Sequence, residues 1–193
     1  MNLVVLGRLA LLLALVEAQP YELPMDLTWE ATPRQVFAAL RDFETEYGLE
    51  LGLGTFRSDV DEEAEVIVGQ FGFADANDAD LSVQAYFDVA GDLLAFYART
   101  EAKGGRAFDV VAKLEDIYFD AHATYNRYYP VWGNLRVFTI YEEGSALEIH
   151  VNMVEPTDGG EDWDVGVLYL PPANRETVGE LWPLVIENLT GDV

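Results

Sequence analysis

The segment LSVQAYFDVAGDLLAFYART, Leu81 to Thr100, decides how the rest of the chain is read. Apolar and polar residues alternate on both sides of Ala90-Gly91, the pattern of two strands folded back on a tight turn. With Ala90-Gly91 as the turn, Phe87 faces Leu94, Ala85 faces Phe96 and Val83 faces Ala98. Ser82, Gln84 and Tyr86 then share the other face with Tyr97 and Arg99. This register predicts a sheet with one core face and one wet face.

Two further strands are expected ahead of the hairpin, near residues 50–58 and 65–73, and before them stands a strong helix signal, TPRQVFAALRDFETEYG. Thr32 suits the cap, Pro33 the first position and Gln35 the capping-box position, while Gly48 suits the left-handed end. Val36, Phe37, Leu40, Phe43 and Tyr47 form its apolar stripe. MDLTWEA, Met25 to Ala31, reads as a short strand. Beyond the hairpin, TEAKGGR reads as a loop leading to a long helix, about Ala107 to Tyr128, which Pro130 stops. A second hairpin, LRVFTIYEEGSALEIHVNM, turns at Glu143-Gly144, with Phe138, Ile140, Leu147, Ile149 and Val151 on its buried face and Thr139, Glu148, His150 and Asn152 opposite. Val165 to Leu170 reads as a strand, and a terminal helix begins near Asn174 with Pro183 as a kink. There is no tandem repeat, linker or low-complexity tract. The expected fold is one α+β domain over residues 19–193, an antiparallel β-sheet with three helices packed mainly on one face.

The first eighteen residues, MNLVVLGRLALLLALVEA, place Arg8 ahead of an apolar run and end on Val16-Glu17-Ala18, the order of a secretory signal peptide spanning residues 1–18. That predicts a periplasmic or secreted protein with no stable membrane insertion after leader removal. The competing reading is a cytoplasmic protein whose translation starts at Met25. Removing residues 1–18 takes away one acid, Glu17, and one base, Arg8, so the formal charge stays at −24. Such a field repels nucleic acid and favours basic partners. Cysteine is absent, which excludes disulfides, thiol catalysis and thiolate metal sites.

The sequence carries no GxSxG around Ser58, Ser82 or Ser145, no phosphate-binding loop, no dinucleotide fingerprint and no HExxH. The only histidines, His122 and His150, fall on different sides of the expected sheet and do not form a shared metal site. A carboxylate-dependent hydrolase working through an acid pair is an alternative. The aromatic run YFDAHATYNRYYPVW is more suggestive: Tyr118, His122, Tyr125, Tyr128, Tyr129 and Trp132 are candidate residues for a ligand groove or partner surface. The competing reading makes Tyr118 and Tyr125 core residues and lets Tyr128, Tyr129 and Trp132 close the edge of that core.

Among the acidic stretches, FADANDADLS fails as an EF-hand, since Ala79, Asp80 and Tyr86 stand where a ligand, a glycine and a glutamate are required. TDGGEDWD is the better calcium candidate, with Asp158, Glu161, Asp162 and Asp164 supplying oxygens and two glycines permitting a wrap. Its competitor is a solvated acidic turn. A calcium-stabilised envelope protein is therefore a further alternative, and no other cofactor is expected.

FDVVAKLEDIYFDAHATYNRYY, followed by a hairpin and LYLPPANRETVGELWPLVIENL, resembles the YbjN family and the related type III secretion chaperone fold over residues 106–190. Asn126-Arg127 falls where that family often has an asparagine ending its second helix. The resemblance implies a non-enzymatic, acidic protein-binding module, with a homodimer as an open possibility; together with the absence of catalytic motifs and the aromatic run, the expectation is an exported module that binds a protein or small ligand without catalysis. It transfers no catalytic residue.

Overall fold

The computed structural model describes residues 8–17, 22–48, 50–52, 56–57, 67–74, 81–88, 90–119, 126–131, 135–141, 148–154 and 162–171. It is an α+β structure. Helices α1 (Arg8–Glu17), α2 (Pro33–Tyr47) and α3 (Gly104–Phe119) accompany one nine-stranded antiparallel sheet. The strands are β1 (Glu50–Gly52), β2 (Phe56–Arg57), β3 (Ile67–Ala74), β4 (Leu81–Phe87), β5 (Leu93–Lys103), β6 (Asn126–Val131), β7 (Leu135–Tyr141), β8 (Glu148–Val154) and β9 (Asp162–Leu170). Their order is β1-β3-β4-β5-β9-β8-β7-β6, with β2 also on β3.

That order contains two similar halves. In each, a helix precedes strands in meander order: α2 before β1, β3, β4 and β5, and α3 before β6, β7, β8 and β9. The last strands of the two halves, β5 and β9, pair at the centre of the sheet. Leu81-Ser82-Val83-Gln84 on β4 corresponds to Ile149-His150-Val151-Asn152 on β8, the same alternation with related side chains. The two halves agree in pattern and not in residue identity, so no tandem repeat stands in the sequence.

The β4–β5 register places Val83 opposite Ala98 and Ala85 opposite Phe96, as the alternation predicts. The turn itself is longer than expected. Asp88 and Asp92 close it: the Asp88 N–H donates to the Asp92 carbonyl, and the Asp92 N–H donates to Asp88 Oδ1 at 2.9 Å. Gly91 takes φ 91° there, a conformation that favours glycine. The register shifts as a result, and Phe87 meets Leu93 instead of Leu94.

Leu81, Val83, Ala85 and Phe87 of β4, Phe96 and Ala98 of β5, and Val165, Val167 and Tyr169 of β9 join one apolar cluster with residues of all three helices. The opposite face of the central strands is not wet. Tyr86 and Tyr97 are fully buried, and Gln84 is 2% exposed. Ala95, Leu168 and Leu170 are also buried. The polar members are matched internally: the Tyr86 hydroxyl donates to Gln84 Oε1 at 2.6 Å, which satisfies a pair that would be costly to bury separately.

Helix α2 follows its sequence signal. The Thr32 N–H and hydroxyl both donate to Gln35 Oε1, and Gly48 ends the helix in the left-handed region with its N–H on the Glu44 carbonyl. Val36, Leu40 and Phe43 are buried, with Phe37 and Tyr47 packed beside them. Helix α1 is different. Leu11, Leu12, Leu13, Leu15 and Val16 are all buried in the shared cluster, so the helix is enclosed on more than one side. Each such side chain contributes about 1.5–3 kcal/mol when removed from water, so together they reach the scale of a domain's net stability, about 5–15 kcal/mol.

Three expectations are corrected. MDLTWEA is not a strand: Pro24–Asp26 is a single 3-10 turn, followed by extended Leu27 and a turn at Trp29-Glu30. Helix α3 ends at Phe119, and Asn126–Val131 is strand β6. The spacing of Ile117, Tyr118, Ala121 and Tyr125 mimics a helix, yet Tyr128, Tyr129 and Val131 are strand formers. Pro130 is accommodated because β6 ends the strand order and is an edge. TEAKGGR is not a loop, since β5 runs to Lys103 and its end pairs with Asp162 to Val165 of β9. The expected terminal helix from Asn174 and the acidic turn at Asp75–Asp80 lie outside the described residues.

Candidate functional site

The aromatic candidates do not gather at the end of a helix. Tyr118 belongs to the last turn of α3, while His122, Tyr125 and Trp132 lie outside the described residues. Tyr128 and Tyr129 are neighbours on β6, and neighbours on a strand belong to opposite faces. Tyr128 is opposite Phe138, on the face of Val151, and Tyr129 is opposite Val137 on the other face. Asn126 opens β6 and does not end a helix.

The calcium candidates also separate. Asp158 and Glu161 lie outside the described residues. Asp162 and Asp164 stand in β9, not in a loop, at positions opposite Lys103 and Glu101. Asp164 already has a cationic partner, Arg99 Nη1 at 3.3 Å. No group of three or more metal-ligating side chains occurs among the described residues. His150 is opposite Thr139 and Leu168, on the face that carries Tyr97 and Gln84.

Burial pushes the Asp164 carboxyl above its usual range, Arg99 pulls it back, and Glu101 adds to the rise. A carboxyl raised on folding favours the fold while protonated. Its contribution is complete below the ordinary aspartate value of about 3.9 and is lost as the pH climbs through the raised value. Asp164→Asn is therefore expected to gain stability relative to the parent protein between about pH 3 and pH 7. Urea midpoints at both ends of that range measure the change, and a difference that shrinks with rising pH contradicts it.

Among the described residues, a recess lies between the 3-10 turn and α2, a groove of about 500 Å³. It is lined on its apolar side by Leu27, Ala31, Ala39 and the buried ring of Phe43, with the exposed Ala38 at its edge. Ala38 and Ala39 lack the bulk to fill the space, and they sit beside the core stripe of Val36, Leu40 and Phe43. The rim is acidic, with Asp26 on the turn and Asp42 and Glu46 one helical turn apart on α2. Asp42 and Glu46 are exposed to solvent, and among the described residues no lysine or arginine lines the groove.

The backbone that forms one wall is unusual. Met25 and Asp26 both have positive φ, 61° and 55°, a conformation that costs of order 1 kcal/mol or more for a residue with a Cβ. The Leu27 N–H returns to the Pro24 carbonyl, and the Leu93 N–H donates to the Trp29 carbonyl, tying the segment to the start of β5. At the far end of α2, Glu44 binds Arg41 at 2.7 Å and accepts the Leu51 N–H at 2.8 Å, which joins the helix to β1. Glu44 is thus committed to structure.

This groove is absent from the aromatic and calcium candidates named from sequence. Its one legible sign is the run Gln35, Ala38, Ala39, Asp42 and Glu46, a second helical stripe of small and acidic residues beside the core stripe. The bend at Met25-Asp26 has only a weak local signal, since Asp26 tolerates the left-handed region but Met25 does not. Comparison of the chain with protein-family models, curated proteins and solved structures gives no match.

Proposed function

We propose that this protein is a non-catalytic binding module that takes a basic, amphipathic segment of a protein partner in the groove beside α2. The observation that carries the reading is the pairing of an alanine-rich apolar floor with an acidic rim of Asp26, Asp42 and Glu46. An apolar side chain of the partner occupies the floor, and its Lys or Arg residues meet the carboxylates. The acidic surface, at a formal charge of −24, steers such a partner toward the protein. In this reading the helices form a layer mainly on one face of the sheet, and α2 presents its solvent side as the docking ridge. A non-enzymatic, acidic protein-binding module is also what the resemblance to the YbjN and secretion-chaperone folds implies.

Titration with a Lys-bearing amphipathic peptide, followed by calorimetry, tests the reading. The double variant Asp42→Lys/Glu46→Lys is expected to weaken binding at least about tenfold, equivalent to about 1.4 kcal/mol, and to reduce its salt dependence. Ala39→Phe is expected to abolish binding by filling the apolar side of the groove while leaving the charge intact. Affinity unchanged by both variants would rule out this groove as the docking surface.

A further inference from the structure

The segment RLALLLALVE has two incompatible readings, and the structure separates them. A leader is apolar all round because it meets a membrane or a translocation channel. A helix that is apolar all round in a folded domain is instead surrounded by protein. Helix α1 meets the second description. Leu11, Leu12, Leu13, Leu15 and Val16 are each 8% exposed or less, and these positions cover both consecutive and four-apart sides of the helix. It contacts β5, β4, α3 and the 3-10 turn, and its side chains share one cluster with Ala98, Val83 and Leu114.

Both a cut after Ala18 and a start at Met25 would remove this helix and uncover those surfaces. The exposed surface would lie over β5, the strand that joins the two halves of the sheet. No residue of α2 can replace α1, since Val36, Leu40 and Phe43 are already buried.

We infer that the surface formed by β4, β5, α3 and the 3-10 turn is a binding site for a ten-residue apolar helix, and that its resident occupant is this chain's own Arg8–Glu17, retained in the folded protein. The leader-like composition is then a property of a core helix. This inference is separate from the groove beside α2, because it concerns the surface over β5, β4 and α3 and does not involve a partner.

The test uses the full chain expressed from Met1 in a secretion-competent bacterial host. Intact mass is expected to include residues 8–17, and hydrogen exchange is expected to protect the amides from Leu15 to Glu17 as strongly as those of β5. A variant lacking residues 1–18 is expected to lose its cooperative thermal transition, and a synthetic peptide of residues 1–18 added in trans is expected to restore it. A folded protein that begins at Gln19, or α1 amides that exchange as fast as a frayed terminus, overturns the inference. So does a folded 19–193 dimer, since a second copy would then fill the site.

Discussion

Tyr97→Ala is expected to lower the stability of the fold by about 3–5 kcal/mol, the cost of truncating a fully buried aromatic side chain. The size of this effect separates two views of the sheet. If alternate residues of β5 faced water, as its amphipathic pattern suggests, Tyr97 would be a surface residue and its loss would change stability by about 0.5 kcal/mol or less. The structure places Tyr97 at 0% exposure, opposite Gln84 on one side and Leu168 on the other. All three positions are buried. Urea denaturation read by far-ultraviolet circular dichroism gives the answer directly, and Phe96→Ala on the helix side of the same strand provides the matched comparison. Similar losses for the two variants establish burial on both faces. A small loss for Tyr97→Ala alone would show that its face is solvated.

Tyr86→Phe is expected to cost about 1–3 kcal/mol although it removes a single oxygen. The Tyr86 hydroxyl donates to Gln84 Oε1 at 2.6 Å, and both residues are at or below 2% exposure. Without that donor, the Gln84 carbonyl loses a hydrogen bond in a site that water does not reach. Gln84→Leu with Tyr86→Phe replaces both partners by apolar groups and is expected to recover most of the loss, giving a coupling of the sign that a double-mutant cycle detects. Additive losses in the two single variants would show that the bond contributes little.

The hairpin at Leu81 to Thr100 was the most legible part of the chain because alternation and a glycine turn act over a few residues. Its register held for Val83 and Ala85 and slipped at Phe87, where the side chain of Asp88 lengthened the turn. Helix α2 was legible for the same reason: Thr32, Gln35 and Gly48 act locally. What sequence could not supply was nonlocal. Whether Tyr97 is wet depends on what lies across the sheet, and whether Asp164 is a metal ligand or a partner of Arg99 depends on β9 pairing with β5. Tyr128 and Tyr129 were misplaced because a helical spacing continued past Phe119 into a segment that pairs with β7. The groove was legible only in the α2 stripe of Gln35, Ala38, Ala39, Asp42 and Glu46, since its other wall comes from an unusual bend at Met25-Asp26.

The pairing of β5 with β9 also has a consequence for biosynthesis. Each half of the sheet ends on the strand that must meet the other, so Phe96 cannot find Tyr169 until almost the whole described chain has left the ribosome. Until then β5 presents an open edge, the form in which a nascent chain is most exposed to pairing with the wrong neighbour. In order of synthesis, the strand that closes the central seam is the last strand of the described sheet.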